Sequence, residues 1–381
     1  MELNRNSFLN TKRDAWVEVN LDNLEHNVSA VKSLLPENTK LLAVIKADAY
    51  GHGAVMCSPS MAASGVEYFG VASIDEGIQL RQAKVKTPIL VLGTVPVWSF
   101  DDAAKNNLTL SIYSDSHIEA CKIANKKNGY IINAHVKIDT GMNRIGIAPD
   151  KAVEFIKKVQ KEPSINLTGV FTHFACAEDT EITKTQIEKF NSITKQIDTT
   201  NLLIHTNNSA AILCGLNAGL TNMSRAGIIL YGLMPDLPPE YGVPTGLQLK
   251  PVMSLKARIA NIHTAKPSEG VSYSHKFKTT KETKIATVPL GYADGVSRKL
   301  SNKIFAGFEG AKIKQIGNIT MDQMMFDVTG TNAKEGDVIT LLGQEGDNFF
   351  SIDEWAKILD TINYELTCRL KVRLARVYTR D

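Results

Sequence analysis

The sequence predicts two domains, an N-terminal (β/α)8 barrel followed by a mostly antiparallel β domain. Three observations support this prediction. Between residues 41 and 232, short apolar runs alternate with helical segments, and successive runs start 20 to 35 residues apart. After about residue 245, such runs are separated only by short turns. The chain has 381 residues, which is more than one hydrophobic core usually holds.

Eight apolar runs are typical of the parallel strands of a barrel. Between them lie segments such as DEGIQLRQAK and TKTQIEKFNSITKQI, in which apolar residues recur at helical spacing. An open, doubly wound sheet is the alternative, but no G-x-G-x-x-G segment follows any run, and we therefore predict the barrel. The runs are LLAVIKA (41–47), YFGVAS (68–73), PILVLG (88–93), LTLSIYS (108–114), AHVKIDTG (134–141), LTGVFTHFA (167–175), LLIHTNNS (202–209) and MSRAGIILYG (223–232).

The second domain is predicted from closely spaced β-like segments such as KIATVPLGYA, AKIKQIGNI and DVITLLG. A helix is expected there only near 352–361. We place the barrel at 15–245 and the β domain at 246–381, joined through a segment rich in proline and glycine at 231–246. The first strand, AWVEVNL (15–21), fits either domain.

Composition predicts a soluble cytoplasmic enzyme or binding protein. The net charge is only +3, which gives no electrostatic signature of nucleic-acid or membrane binding. No apolar stretch approaches the roughly 18 residues of a membrane span, and the first residues lack the pattern of a signal peptide. The five cysteines are scattered, as a reducing compartment permits, and give no support for a metal site.

Lys46 is the first candidate for chemistry. It is expected to end the apolar strand LLAVIK, and it precedes the glycine-rich turn ADAYGHG. Burial of an amine at the end of a barrel strand lowers its pKa and makes it nucleophilic. An ion pair between Lys46 and Asp48 is the alternative interpretation.

Two further segments carry polar residues where barrel strands are expected to end. HVKIDTGMNRIG contains Lys137, Asp139 and Arg144, and this arginine could bind a carboxylate or phenolate. The alternative is a loop held together by Asp–Arg pairs. His173, in FTHFA, is either a catalytic residue or a core histidine.

The last two runs of the barrel predict an anion site. Ser209 and the backbone N–H groups near Gly227 and Ile228 are suited to a phosphate, and barrels often bind phosphate after strands seven and eight. Arg225 lies in the same segment, where an inward cation needs a permanent partner. A phosphate-bearing cofactor or a structural salt bridge would explain these residues.

A reactive lysine, a phosphate site and an arginine at a strand end together outline a site for pyridoxal 5'-phosphate (PLP). The chain resembles the alanine racemase family of PLP enzymes. The resemblance extends in family order from residue 46 to 368, and it implies racemisation of L-alanine to D-alanine for peptidoglycan. It is carried by KADAYGHG, VKIDTGMNRIG, FTHFA, HTNNSAA, MSRAGI, GVSYS, PLGYADG, TMDQ and TINYELTC.

The resemblance also implies how PLP is held. Lys46 attaches the cofactor covalently, and Arg225 faces the pyridine nitrogen with His205 hydrogen-bonded behind it. Lys137 matches a position that is carbamylated in many members, and the resulting anion would orient Arg144. The remaining cofactor contacts implied by the resemblance are Tyr50, Leu92, His173, Asn208, Ser209, Gly227, Ile228 and Tyr364.

Two bases are implied, one for each face of the substrate: Lys46 and the partner subunit's Tyr273. The active unit is then a homodimer whose sites are shared between chains. The same resemblance places Met321 and Asp322 near the substrate, with its carboxylate bound by Arg144 and the Met321 N–H. Tyr292 and Arg298 match residues that line the access corridor to the site.

Some positions depart from the family pattern. Ser274 replaces the usual Gly, Thr320 replaces a common Cys, Ala226 replaces a bulkier residue, and RLKVRLARVY lacks the usual proline. These departures leave a serine or broad-specificity racemase as an alternative. A decarboxylase of the same fold is disfavoured by Arg225, because its ring partner is usually acidic. A non-catalytic PLP-binding protein is disfavoured by the second domain with its Tyr273.

Overall fold

A computed structural model describes residues 13–216, 218–238 and 244–380. Residues 239–243 of the segment expected to join the domains lie outside the described residues, as does most of the N-terminal stretch tested for a signal peptide. The chain divides into two compact units. One comprises the chain up to Asn23, Tyr50–Gly53 and the chain from Pro251 onward; the other comprises Leu24–Ala49 and Ala54–Lys250. We call them the C-terminal unit and the barrel unit.

The barrel unit contains a closed barrel of eight parallel strands, which confirms the predicted fold class. The barrel closes where the first and last of these strands pair in parallel, with Leu42 opposite Arg225. In chain order the strands are β1 (Ala15–Asn20), which is not part of the barrel, and then β2 (Lys40–Val44), β3 (Tyr68–Val71), β4 (Ile89–Val91), β5 (Thr109–Ile112), β6 (Ile132–Lys137), β7 (Ile165–Phe171), β8 (Leu203–His205) and β9 (Met223–Ala226).

Amphipathic helices alternate with these strands. In Pro149–Gln160 the buried residues Ala152, Phe155, Ile156 and Val159 recur every three or four positions, so one stripe of the helix is apolar. Its proline lies in the first turn, where no backbone N–H is needed. The helices are α1 (Leu21–Ser33), α2 (Ala54–Ala63), α3 (Ile74–Gln82), α4 (Phe100–Lys105), α5 (Asp115–Asn128), α6 (Pro149–Gln160), α7 (Thr180–Thr194) and α8 (Ser209–Leu213).

The C-terminal unit is built on a mostly antiparallel sheet, as predicted. Its strands are β10 (Met253–Arg258), β11 (Asn261–Ala265), β12 (Gly270–Val271), β13 (Phe277–Lys278), β14 (Thr283–Val288), β15 (Phe305–Phe308), β16 (Ala311–Ile316), β17 (Met324–Asp327), β18 (Val338–Glu345), β19 (Asn348–Phe350) and β20 (Ala375–Thr379). The main path of the sheet runs β11-β14-β17-β16-β15-β18-β10-β1-β20. The first strand, β1, which the sequence left unassigned, pairs antiparallel with β10 and parallel with β20.

Two local expectations were wrong. The first barrel strand ends at Val44, so Lys46 lies in the turn after the strand. The described part of the C-terminal unit contains the helices α9 (Ile352–Leu359) and α10 (Asn363–Arg369), where only the first was expected. The second helix was missed because seven residues show too little of the helical period. Among the described residues, no helix is both long enough and apolar enough to cross a membrane.

Candidate active site

Arg225 organises the polar residues at the carboxyl ends of β7, β8 and β9. The side chain is buried, and its Nη1 donates to His205 Nδ1 at 2.8 Å. Its Nη2 donates to the backbone oxygens of Thr172 at 2.9 Å and Thr206 at 2.8 Å, and lies 3.3 Å from His173 Nδ1. Three strand ends are therefore tied to one guanidinium group.

All these partners of Arg225 are neutral. Burial lowers the pKa of Arg225 to about 9, and no carboxylate offsets this effect in the part of the chain that the structure describes. Burial and the charge of Arg225 hold the pKa of His205 well below its usual value, and the same two causes act on His173. The histidines are therefore uncharged at neutral pH and accept hydrogen bonds from the arginine. The structural salt bridge considered for Arg225 does not form.

Ser209 and Gly227 form the expected anion-binding segment beside Arg225. The Ser209 hydroxyl accepts a hydrogen bond from the Gly227 N–H at 2.9 Å, which joins the ends of β8 and β9. Asn208 caps the short helix α8 by accepting from the Ala211 N–H at 2.9 Å. Ile228 begins a 3-10 turn, whose first N–H groups have no acceptor within the turn. The Ser209 hydroxyl hydrogen also remains free to turn toward a ligand.

Lys46 begins a left-handed turn. The next four residues, Ala47, Asp48, Ala49 and Tyr50, have φ angles of 51° to 54°, although none is glycine. Such a run costs about 1–2 kcal/mol per residue, so the surrounding structure must hold it.

Carboxylates hold the two ends of this turn. Glu76 accepts from the Ala47 N–H at 2.7 Å, and Asp48 accepts from the Ala54 N–H at 2.7 Å. Asp48 therefore serves as a cap for the backbone after the turn. The strained turn and the hydrogen bonds that hold it fix the half-buried Lys46 just after the end of β2.

Leu92 lies just beyond β4, over the neighbouring strand. A Cβ placed on Gly70 of β3 would come within 2.7 Å of a Leu92 methyl group and within 2.8 Å of a Leu42 methyl group. The absence of a side chain at Gly70 thus lets Leu92 lie flat over the strand end. An apolar side chain at this edge is suited to packing against an aromatic ring.

Asp139 holds the loop that carries Arg144. Its two carboxylate oxygens accept the backbone N–H groups of Gly141 at 3.0 Å, Asn143 at 3.0 Å and Arg144 at 2.9 Å. The loop is therefore stabilised through the backbone rather than by the Asp–Arg side-chain pair considered from the sequence. The Arg144 side chain remains exposed.

Lys137 is buried at the end of β6, where its ammonium lies 4.8 Å from the centre of the Phe171 ring. Burial, Arg225 and Arg144 together lower the pKa of Lys137 to about 7. At neutral pH a large fraction of this amine is unprotonated. The group is suited to modification at its nitrogen, because a neutral amine is a nucleophile.

In the C-terminal unit, the buried Tyr50 and the half-buried Tyr364 form an aromatic pair. Their ring centroids are 6.0 Å apart, with an interplanar angle of 59°. Burial raises the pKa of Tyr50, and Tyr364 and Cys368 raise it further. Burial also raises the pKa of Tyr364. Both hydroxyls are therefore protonated donors across the physiological range.

Tyr273 projects from a strained turn of the C-terminal unit and is 71% exposed. Ser272 and Ser274 on either side have φ angles of 62° and 61°. Ser274 thus adopts the left-handed conformation that glycine favours. Asn318 fixes the turn through two hydrogen bonds. Its side-chain amide donates to the Tyr273 carbonyl at 2.6 Å, and its backbone carbonyl accepts from the Ser272 hydroxyl at 2.8 Å.

The segments that carry Tyr292 and Met321 are joined to each other. The Tyr292 N–H donates to the Thr320 carbonyl at 3.0 Å, and the Ala293 N–H donates to the Met321 carbonyl at 3.0 Å. A Cβ on Gly291 would come within 2.3 Å of the Thr320 oxygen, so this contact requires glycine. Arg298 lies nearby in sequence and lines a cavity of about 300 Å³ with Lys276 and Lys299.

Asp294 stabilises these joined segments. It is completely buried and accepts from Arg13 at 2.7 Å, from Arg373 at 2.6 Å and from the Gly291 N–H at 2.8 Å. Arg373 also binds the exposed Asp322 at 2.6 Å. Asp294 lies within the PLGYADG motif, but nothing in the sequence around it predicts its buried ion pairs.

Taken unit by unit, the structure groups most of the expected residues. In the barrel unit, one group of expected residues lies together; it comprises His173, His205, Asn208, Ser209, Arg225, Gly227 and Ile228. Lys137 lies beside Phe171, and Lys46 and Leu92 lie at the ends of β2 and β4. In the C-terminal unit, Tyr50 pairs with Tyr364, and Tyr292, Met321 and Asp322 share one network, while Tyr273 lies on its own turn.

Comparisons with known proteins agree with this arrangement. The family model of the alanine racemase N-terminal domain matches residues 19–235, and that of the C-terminal domain matches residues 252–378. The alanine racemase of Desulfovibrio desulfuricans is 40% identical over 372 residues, covering 96% of this chain and 98% of that protein.

Two solved structures are similar over nearly the whole chain. The alanine racemase of Clostridium difficile 630 is 40% identical, with a TM-score of 0.88 and 97% of each chain covered. The alanine racemase of Bacillus anthracis with bound L-Ala-P is 34% identical, with a TM-score of 0.88, covering 97% of this chain and 96% of that one.

The left-handed turn predicts an unusual response to glycine. Ala47→Gly should raise the free energy of unfolding by about 1 kcal/mol, because glycine adopts this conformation without the steric cost paid by alanine. Ala30→Gly, in the right-handed helix α1, should lower it by about 1 kcal/mol. Urea unfolding of both variants measures the difference. A loss of stability in Ala47→Gly equal to that in Ala30→Gly would contradict the proposed strain.

The buried carboxylate predicts a second difference. Asp294→Asn should destabilise the protein by about 1–3 kcal/mol, because two arginines lose an ionic partner. Asp322→Asn takes a carboxylate away from the same arginines, but this carboxylate is 53% exposed. The substitution should therefore lower the free energy of unfolding by less than about 1 kcal/mol. Urea unfolding followed by circular dichroism compares the two variants, and equal losses would show that burial of Asp294 is unimportant.

Proposed function

The chain belongs to the alanine racemase family of isomerases, and on that premise we propose that it interconverts L-alanine and D-alanine with PLP as its cofactor. The observation that carries the proposal is the environment of Arg225. A buried cation held only by neutral partners is suited to a ring nitrogen that must remain unprotonated. The related Bacillus anthracis structure, with its bound L-Ala-P, also supports an alanine substrate.

The residues present fit PLP. Nη1 of Arg225 carries two N–H groups and uses one for His205, so a second donor is available for a ring nitrogen. Ser209 and the N–H groups of the turn that begins at Ile228 offer donors for a phosphate. Lys46 supplies the amine for covalent attachment. The other groups proposed to hold the cofactor are Tyr50, Leu92, His173, Asn208, Gly227 and Tyr364.

Bound PLP supplies an electron-withdrawing group that acidifies the Cα–H of an attached amino acid. Arg225 would limit this withdrawal, because its guanidinium, with a pKa of about 9, stays protonated at neutral pH and would not give its proton to the ring nitrogen. Charge developing in the reaction would then stay closer to Cα. Return of the proton to Cα, and hence racemisation rather than transamination, would be favoured.

Two bases on opposite faces of Cα would move the proton. We assign them to Lys46 and the partner subunit's Tyr273, which makes the homodimer the active unit. The exposure of Tyr273 on a turn fixed by Asn318 is consistent with a group presented to a second chain. A tyrosine hydroxyl must lose its own proton before it can act as a base, so nearby cations would have to favour its phenolate form.

The substrate would be held and admitted by groups from both chains. Arg144 and the Met321 N–H would bind the substrate carboxylate, with Asp322 supporting the Met321 segment through Arg373. Tyr292 and Arg298 would line a narrow access corridor that favours small amino acids. The product would serve peptidoglycan synthesis in the cytoplasm.

Lys137 is proposed to be carbamylated. In that reaction the neutral Nζ attacks CO2, an N–C bond forms, and the nitrogen releases one proton. The product is an anion, which would pair with Arg144 and relieve the repulsion between two neighbouring cations. Arg144 would then be oriented toward the substrate.

Racemisation is tested with the PLP-loaded protein, L-alanine and heavy water. Loss of optical activity together with entry of deuterium at Cα is expected, because proton removal and return occur at the same carbon. The chirality and the NMR signal of the α-proton are followed in parallel. Failure with alanine but success with serine would replace the proposed substrate, and failure with every amino acid tested would refute a racemase.

The two-base assignment predicts a one-sided defect. In Tyr273→Phe, exchange of the α-proton should be lost for one enantiomer of alanine and retained for the other, because Lys46 still serves its own face. Deuterium incorporation into L- and D-alanine is measured separately. Tyr292→Phe, which removes another exposed tyrosine hydroxyl, is the control and should slow both enantiomers equally. Exchange of both enantiomers in Tyr273→Phe would exclude this residue as a base.

The lowered pKa of Lys137 predicts a pH-dependent modification. Protein equilibrated with ¹³CO2 should show a carbamate signal by NMR that grows as the pH rises through about 7, where the amine loses its proton. Without CO2, the depressed pKa should make stability rise with pH above about 7, because the unfolded chain retains this proton up to its ordinary pKa of 10.5. Lys137→Met should abolish both effects; a signal that persists would assign the carbamate elsewhere.

A further inference from the structure

A second buried histidine lies behind the pair formed by Arg225 and His205. His135 Nδ1 is 2.8 Å from His205 Nε2, and His205 Nδ1 is in turn 2.8 Å from Arg225 Nη1. Both imidazoles are completely buried. The three side chains form one continuous line of hydrogen bonds inside the barrel, and His135 is absent from the site proposed above.

The direction of donation along this line follows from the arginine. Arg225 can only donate, so His205 Nδ1 must accept, and its single proton then resides on Nε2. The His205 Nε2–H donates to His135 Nδ1, which leaves the proton of His135 on its own Nε2. Burial, followed by the charge of Arg225, lowers the pKa of His135 to about 3, so this ring stays neutral.

The strands are built to admit the His135 ring. A Cβ placed on Gly169 of β7 would lie 2.7 Å from His135 Cε1 and 2.8 Å from its Nδ1. The pairing of β6 with β7 shifts register between Ala134 and His135, which brings Gly169 opposite the histidine. A bulge and a glycine together therefore provide space for an imidazole at this position.

Stability alone does not explain a histidine here. His135 Nε2 is buried and has no hydrogen-bond partner among the described residues. An apolar ring of similar shape would avoid this unsatisfied donor but would leave the His205 Nε2–H unsatisfied instead, so the number of unsatisfied buried donors does not favour histidine. What His135 provides, and an apolar ring would not, is an acceptor for the His205 Nε2–H.

We infer that His135 is a positioning residue: by accepting the His205 Nε2–H, it keeps His205 Nδ1 directed at Arg225 and so fixes the guanidinium. Two neutral imidazoles hold the arginine without bringing a negative charge beside it. The inference rests on the proposed function, because it assumes that Arg225 faces the PLP ring. Loss of His135 would leave the His205 ring without the acceptor that orients it, and Arg225 would then depend more on its Nη2 side, where Thr172 and Thr206 accept.

The test compares three variants of the PLP-loaded protein. His135→Phe keeps a ring but removes the acceptor, and His135→Asn keeps an acceptor oxygen near the position of Nδ1. His117→Phe is the matched control, because His117 is another buried histidine of the barrel unit, located in α5 and outside the line. If His135→Phe shows no cooperative melting, His135→Leu takes its place.

Three quantities are measured: the kcat and KM for L-alanine, the ratio of pyruvate to D-alanine formed, and the absorption spectrum of the loaded protein without substrate as a function of pH. In His135→Phe we expect kcat to fall about tenfold, the pyruvate ratio to rise, and the spectrum to change, with little change in KM. His135→Asn should restore all three quantities, and His117→Phe should leave them unchanged.

The inference is overturned if His135→Phe behaves like His117→Phe, or if His135→Asn is as defective as His135→Phe. The first outcome would show that the line of hydrogen bonds does not act on Arg225, and the second that the acceptor is not what matters. If the unmodified protein racemises no amino acid, the proposed function fails. The spectral comparison still decides the role of His135 in that case, because it requires only bound PLP.

Discussion

The burial of Arg225 without a carboxylate is the constraint on which the rest of the site depends. A guanidinium taken out of water must satisfy its N–H groups, and here the acceptors are two backbone carbonyls and histidine nitrogens. Those acceptors come from the ends of β7 and β8, while the arginine comes from β9. The closing strands of the barrel are thus joined where a ligand would bind.

The same buried charge adds to the effect of burial on its neighbours. Burial, and after it the charge of Arg225, depresses the pKa values of His173, His205, His135 and Lys137, and the three imidazole rings stay neutral. Burial and one cation together therefore produce three neutral acceptors and one reactive amine. A carboxylate in place of any of these partners would favour the charged forms of the histidines and of Lys137, because it would raise the pKa of each nearby cation toward its usual value.

Much of the fold and of the site could be predicted from the sequence. Parallel strands buried on both faces give continuous apolar runs, and their alternation with helical segments predicted the barrel. Lys46 and Arg225 could be chosen as candidate site residues from the sequence, because polar groups at strand ends stand out against apolar runs.

Other features gave no local signal. The left-handed turn after Lys46 contains alanines, which ordinarily favour a right-handed helix, so tertiary contacts with Glu76 override propensity there. His135 resembles a core residue of its strand, and only its register opposite Gly169 reveals its contacts. The buried role of Asp294 depends on Arg13 and Arg373, which are distant in sequence.

The measurement that tests the account most directly is the partition of products in Arg225→Glu. The PLP-loaded variant is incubated with L-alanine, and pyruvate and D-alanine are quantified together. If a permanent cation at this position keeps the ring nitrogen unprotonated, glutamate should allow its protonation, and the ratio of pyruvate to D-alanine should rise. An unchanged ratio in a variant that still folds and binds PLP would contradict the role assigned to Arg225.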